Sequence, residues 1–186
     1  QGKNAIDLVL AESLIELSAK KPIDKITIKE ITDKAGVIRP TFYNHFQDKY
    51  ELIEWIIKTE LLEPIKPLLN AGMIFEAIVL MLNNITANSV FYKKALKLEG
   101  AVTFNQIAMK CVYEMFMNII SEKSTGKKSK YRWLTPEVIS TYYAQSLCFI
   151  TEGWIAQGMD DIEPKEMAEA YMYLITRSMD DILSEL

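Results

Sequence analysis

A chain of 186 residues, 49% hydrophobic and 25% charged, is long enough for a packed core and ordinary in polarity. Two cysteines and one histidine are too few for a disulfide framework or a metal-ligand cluster. No apolar run approaches the roughly 18 residues of a membrane span. Neither a G-x-S-x-G elbow nor a phosphate loop occurs, so nothing supports an enzyme, and no catalytic residue, metal or cofactor is expected. The first residues carry Asp7 and Glu12 through their apolar part, unlike a secretory signal, and two unbridged thiols suit a reducing cytoplasm. A net charge of −4 argues, taken alone, against nucleic acid, but the charge is uneven. Residues 1–49 hold eight Lys/Arg and seven Asp/Glu, whereas residues 50–186 hold thirteen and eighteen. Whole-chain charge says little about one face of one module.

Seven glycines, six prolines and no alternating apolar pattern make the chain all-α, helices joined by short turns. Ile6, Val9, Leu10, Ser13, Leu14 and Leu17 repeat at three and four, the stripe of an amphipathic helix that ends before Pro22. Thr27 and Glu30 form a T-x-x-E capping box, with Ile26 and Ile31 placed as a hydrophobic staple. That second helix spans about eight residues and stops at Gly36, suited to a left-handed C-cap. A short helix follows from about Arg39 to Phe46. Asp48, with Glu51 three residues on, opens a longer helix through Ile53, Ile57 and Leu61 that bends or ends near Pro64 and Pro67.

Helices are then expected from about Met73 to Asn88, from Ser89 to Leu98, and through Phe104 to Ile119. "SEKSTGKKSKYR" reads as a basic, polar connection. Thr135 and Pro136 open a helix reaching about Gly158, and Pro164 starts a last helix ending near Leu186.

In the short third helix, Phe42 and Phe46 share a face at i and i+4 and must be buried, which turns Arg39, Tyr43 and Gln47 outward with Pro40 and Asn44 beside them. Arginine bonds guanine bidentately, asparagine bonds adenine, and tyrosine reaches phosphate or a thymine methyl. Helix, glycine turn and helix at this spacing make a helix-turn-helix. With that pattern in hand, "ITIKEITDKAGVIRPTFYNHFQDKYELI", Ile26 to Ile53, resembles the DNA-binding signature of the TetR family of bacterial transcription regulators. Residues 135–171 are similar to the C-terminal domain of relatives of the dihydroxyacetone kinase regulator.

The resemblance implies a three-helix DNA-binding domain over 1–49 and a helical effector-binding and dimerisation domain over 50–186. It implies that Thr27 and Lys29 approach the phosphate backbone, that Arg39, Pro40 and Asn44 meet base edges, and that Tyr43, His45 and Lys49 hold phosphates, with Thr41 in the same set. Ile38 stands where the family often has a small polar residue, so the recognition helix lacks an obvious side-chain cap.

In the penultimate helix one stripe runs Val138, Tyr142, Gln145, Phe149, Glu152 and Ala156, and a second runs Ile139, Tyr143, Leu147, Ile150 and Trp154. A helix apolar on two faces packs on two sides, one within its domain and one against a second subunit. The family resemblance implies that the last two helices of each subunit form a four-helix homodimer seam. Gln145 and Glu152 either make polar contacts at that seam or edge a ligand pocket with Tyr113, Phe116, Met117, Tyr142 and Phe149. The function expected is that of a cytoplasmic, ligand-responsive repressor, a homodimer on a palindromic double-stranded operator with an unidentified small-molecule effector. The alternative is an effector-independent regulator, or one controlled by a protein partner.

Overall fold

A computed structural model describes residues 5–123 and 129–185, leaving residues 124–128 of the basic connection outside the described part. The helices are α1 (Ala5–Ser18), α2 (Ile28–Ala35), α3 (Arg39–His45), α4 (Lys49–Ile56), α5 (Glu63–Asn70), α6 (Ile74–Ala87), α7 (Ser89–Ala95), α8 (Phe104–Lys123), α9 (Pro136–Ala156), α10 (Pro164–Thr176) and α11 (Met179–Glu185). No strand occurs among the described residues, and no single helix among them is long and apolar enough to cross a membrane.

The caps are local and side-chain driven. Thr27 and Glu30 complete the reciprocal capping box, and Gly36 ends α2 at φ +69°. The Asp48 carboxylate accepts from the amides of Tyr50 (2.8 Å) and Glu51 (2.9 Å), and Thr135 accepts from Val138 at the start of α9. α1 packs on α2 and also meets α4 and α7, α8 lies along α9, and α6 lies against α5 and α10. One apolar cluster runs from Leu10 and Phe42 through Ile53 and Ile56 to Trp154 and Tyr171, so α4 carries the core across residue 50.

Two expectations for the helices change. The long fourth helix does not run on as one α-helix: residues Ile57–Leu62 are π-helical, with the Glu63 amide bonded to the Lys58 carbonyl five residues back. Pro64 supplies the reason, since it has no N–H for the Glu60 carbonyl and its ring crowds that carbonyl in an α-register. Asn84 Nδ2 on α6 donates to the Glu60 oxygen instead, at 2.9 Å. The last helix is also two helices. Ser178 and Asp181 form their own capping box and start α11 after an extended Arg177.

Candidate nucleic-acid interface

α3 is anchored by its apolar side. Phe42 is 0% exposed and Phe46 5%, their ring centroids lie 5.9 Å apart, and Phe46 meets Trp55 of α4 edge-on at 6.2 Å. Burying those two rings fixes which residues face out. Arg39, Pro40, Tyr43 and Asn44 are exposed, and Thr41 is half-buried beside them. Arg39 Nη2 donates to the Tyr43 hydroxyl oxygen at 3.2 Å and its guanidinium lies 5.8 Å from the Tyr43 ring centre. That bond leaves the Tyr43 O–H hydrogen free to donate to a phosphate oxygen. Arg39 has no carboxylate within ion-pair distance among the described residues, whereas Lys21 pairs with Glu30, Lys29 with Asp33 and Lys34 with Glu16. Ile38, which gives α3 no side-chain cap, stands 69% exposed beside Arg39, an apolar side chain suited to a thymine methyl.

Three members of the expected set are tied inward. The Thr27 hydroxyl donates to Glu30 Oε2 at 2.8 Å and accepts from the Glu30 amide, so its first duty is the cap. The Lys21 ammonium, followed by the Thr27 contacts, holds the exposed Glu30 carboxyl down at a pKa of about 2. His45 Nδ1 lies 2.7 Å from Asp7 Oδ1 on α1. A proton on Nδ1 makes that contact a hydrogen bond, and in the neutral ring it leaves Nε2 an acceptor that a phosphate repels. Only the imidazolium form serves both partners.

Lys49 requires a correction. Its ammonium donates to the carbonyls of Ile23 (3.0 Å), Asp24 (2.7 Å) and Ile26 (3.2 Å), and burial lowers its pKa. It ties α4 to the connection before α2 and turns away from an approaching phosphate. The Tyr50 and Glu51 amides at the start of α4 are taken by Asp48.

The expected pocket does not assemble as one site. Gln145, Phe149 and Glu152 line an open groove of about 740 Å³ between α7, α8 and α9, while Phe116 lines a different cavity. Tyr142 is 62% exposed on the outer face of α9, and Tyr113 and Met117 line neither space. The reason is helical phase: the first stripe of α9 points outward and the second carries the core, including Leu147 and Trp154. Glu152 is answered by Asn105 Nδ2 at 2.9 and 3.0 Å, yet burial raises its pKa. Cys111 and Cys148 are buried, and burial pushes both thiols up to about 12, which makes them inert core residues.

Comparison with known proteins agrees with this geometry. The family model described as bacterial regulatory proteins of the tetR family matches residues 12–56, and that of a transcriptional regulator C-terminal region matches residues 73–177. The HTH-type dhaKLM operon transcriptional activator DhaS of Lactococcus lactis subsp. lactis (strain IL1403) is 26% identical over 152 residues, 81% of this chain and 79% of that one. Among solved structures, the dihydroxyacetone kinase operon activator DhaS superposes with a TM-score of 0.64 at 21% identity, over 92% of this chain and 94% of that one. NalD, the secondary repressor of the MexAB-OprM multidrug efflux pump in Pseudomonas aeruginosa, gives 0.59 at 13% identity, over 91% and 94%. Given an outward-facing recognition helix and matches spanning both the N-terminal and C-terminal regions, the chain belongs to the TetR family of transcription regulators.

Proposed function

We propose that this regulator works as a homodimer on a palindromic operator and represses transcription until a small effector binds its C-terminal body. The one observation that carries the DNA-reading part is the arrangement of α3: two buried phenylalanines hold Arg39, Pro40, Tyr43 and Asn44 on an exposed face. Residues 1–49 supply that face and residues 50–186 the dimer seam and effector site. Arg39 and Asn44 read bases, Tyr43 and Thr41 hold the backbone with Lys29, and His45 joins them when protonated. One seven-residue helix offers few contacts, and a second copy one turn of DNA away, roughly 34–36 Å, doubles them. Effector binding releases the operator by favouring a dimer whose recognition helices no longer match that spacing. The comparisons identify regulators rather than enzymes, and the reading places this one in the cytoplasm with its DNA.

A gel-shift against the gene's own upstream DNA, with and without a metabolite panel, tests the reading. Retarded bands that a metabolite dissolves are expected; no retardation at low ionic strength would overturn it. Activation is the second reading, favoured by the name of the Lactococcus relative. A reporter whose output falls on deletion of this gene would select it.

A further inference from the structure

Between α5, α6, α8, α9 and α10 lies a partly open cavity of about 400 Å³ that shares no lining residue with the groove beside Glu152. Its volume lies in the range of small-molecule sites. The walls are almost wholly apolar, with Ala77 and Met81 from α6, Phe116 from α8, Leu147 from α9 and Ile175 from α10. Polar groups gather where helices end: Lys123 is the last residue of α8 and Thr176 the last of α10. The Thr176 hydroxyl is already bonded to the Met172 carbonyl. Lys123 is different. Its ammonium donates to the Leu69 carbonyl at 2.8 Å, and no carboxylate lies within ion-pair distance of it among the described residues. The neighbouring Glu122 is occupied by Lys66.

Met81 and Leu147 also line a second, smaller cavity of about 40 Å³ reaching the π-helical residues Ile57, Leu61 and Leu62. Tyr92 and Thr151 line that smaller space, and each has a buried hydroxyl oxygen with no hydrogen-bond partner among the described residues. Met81 and Leu147 stand between the two spaces, and the larger one is an apolar cavity with Lys123 among its lining residues.

We propose, building on the effector-responsive reading above, that this larger cavity binds a single-chain amphiphile with a carboxylate head. The carboxylate sits on the Lys123 ammonium, and the hydrocarbon lies between α6, α8 and α10 and points toward Met81 and Leu147. A carboxylate gives Lys123 the charge-assisted partner it lacks, while the chain removes apolar surface from water. Such a molecule is the effector that releases the operator.

Sodium decanoate, below its micelle concentration, is the probe, with 1-decanol and shorter carboxylates beside it. Calorimetry on the full chain should give one decanoate per chain, with affinity rising about fourfold per methylene as the chain lengthens. Lys123→Gln should weaken decanoate at least tenfold and leave decanol unchanged. Ala77→Leu, which narrows the cavity, should abolish both, and Met172→Trp narrows it from another wall if Ala77→Leu fails to fold. No decanoate binding, or binding indifferent to Lys123→Gln and to both narrowing variants, overturns the site. Decanoate that binds yet leaves the operator gel-shift intact overturns its role as effector. The calorimetric arm contains no DNA, so its failure belongs to the cavity, whereas a chain that never retards an operator fails the earlier reading.

Discussion

Arg39 opens α3 and Lys49 opens α4, yet the surroundings of these two cations differ sharply. Arg39 is exposed, with the Tyr43 hydroxyl as its one hydrogen-bond partner among the described residues, so Arg39→Ala should relax base preference and cost about 1–3 kcal/mol of operator binding, with the melting temperature unchanged. Lys49 is spent on three backbone carbonyls. Lys49→Met leaves those oxygens short of a donor, so it should lower folding stability by about 1–3 kcal/mol and leave the salt dependence of DNA binding as it was. Competition binding on operator variants and denaturant melts separate the two. The sequence displayed Arg39 correctly because its exposure follows from Phe42 and Phe46 three and seven residues away. It could not display the fate of Lys49, whose partners lie 23 to 26 residues earlier and depend on tertiary folding. Glu152 gives a third prediction at this scale. Burial raises its pKa, so the folded protein binds a proton there more readily than the unfolded chain, and stability falls as pH climbs from the unfolded value through the folded one. Glu152→Gln should therefore raise the melting temperature at pH 7 and lose that advantage at pH 4, as scanning calorimetry at the two pH values would reveal.

Elements whose signals are local were legible: the Thr27–Glu30 box, Gly36, Asp48 and Thr135 each act within a few residues of the end they cap. The Ser178–Asp181 box was equally local, but the apolar stripe ran through it and masked the break between α10 and α11. The π-helical turn depended on an acceptor being rescued from elsewhere. Pro64 shows in the sequence that a backbone donor is lost, while Asn84, 24 residues from Glu60, is what makes the shifted register tolerable. Removing it with Asn84→Ala should cost about 1–3 kcal/mol, the penalty for an unmet buried carbonyl. Pro64→Ala returns an N–H to the same oxygen, so the double variant should be more stable than Asn84→Ala alone. Urea melts of the four members of that cycle check it; strict additivity would mean that the two residues do not share the Glu60 carbonyl.

For the molecule as a whole, the faces left uncovered matter more than the core. Tyr142 at 62% and Phe149 at 77% lie on the outer stripe of α9, with Met179 at 76% and Leu183 at 61% on α11. Single exposed apolar residues are ordinary, but large ones recurring on the outer stripe of α9 suit a surface that meets a partner. A Cβ placed on Gly153, in the same part of α9, would meet nothing within 4 Å, so the protomer leaves that stretch of backbone open to close approach. These facts favour a seam between two copies over a pocket built from Tyr142 and Phe149, and they make the dimer testable without disturbing the protomer. Phe149→Asp places a charge where the isolated chain has solvent, so its melting transition should change little beyond what loss of the dimer itself brings. At the seam the same carboxylate would lose its water against apolar side chains, which association cannot tolerate unless a partner charge answers it. Sedimentation should then report a monomer, and operator affinity should fall steeply because one short recognition helix remains per molecule, while half-site contacts stay sensitive to Arg39. A Phe149→Asp protein that sediments as a dimer and binds the full palindrome as tightly as before would move the seam elsewhere on the chain.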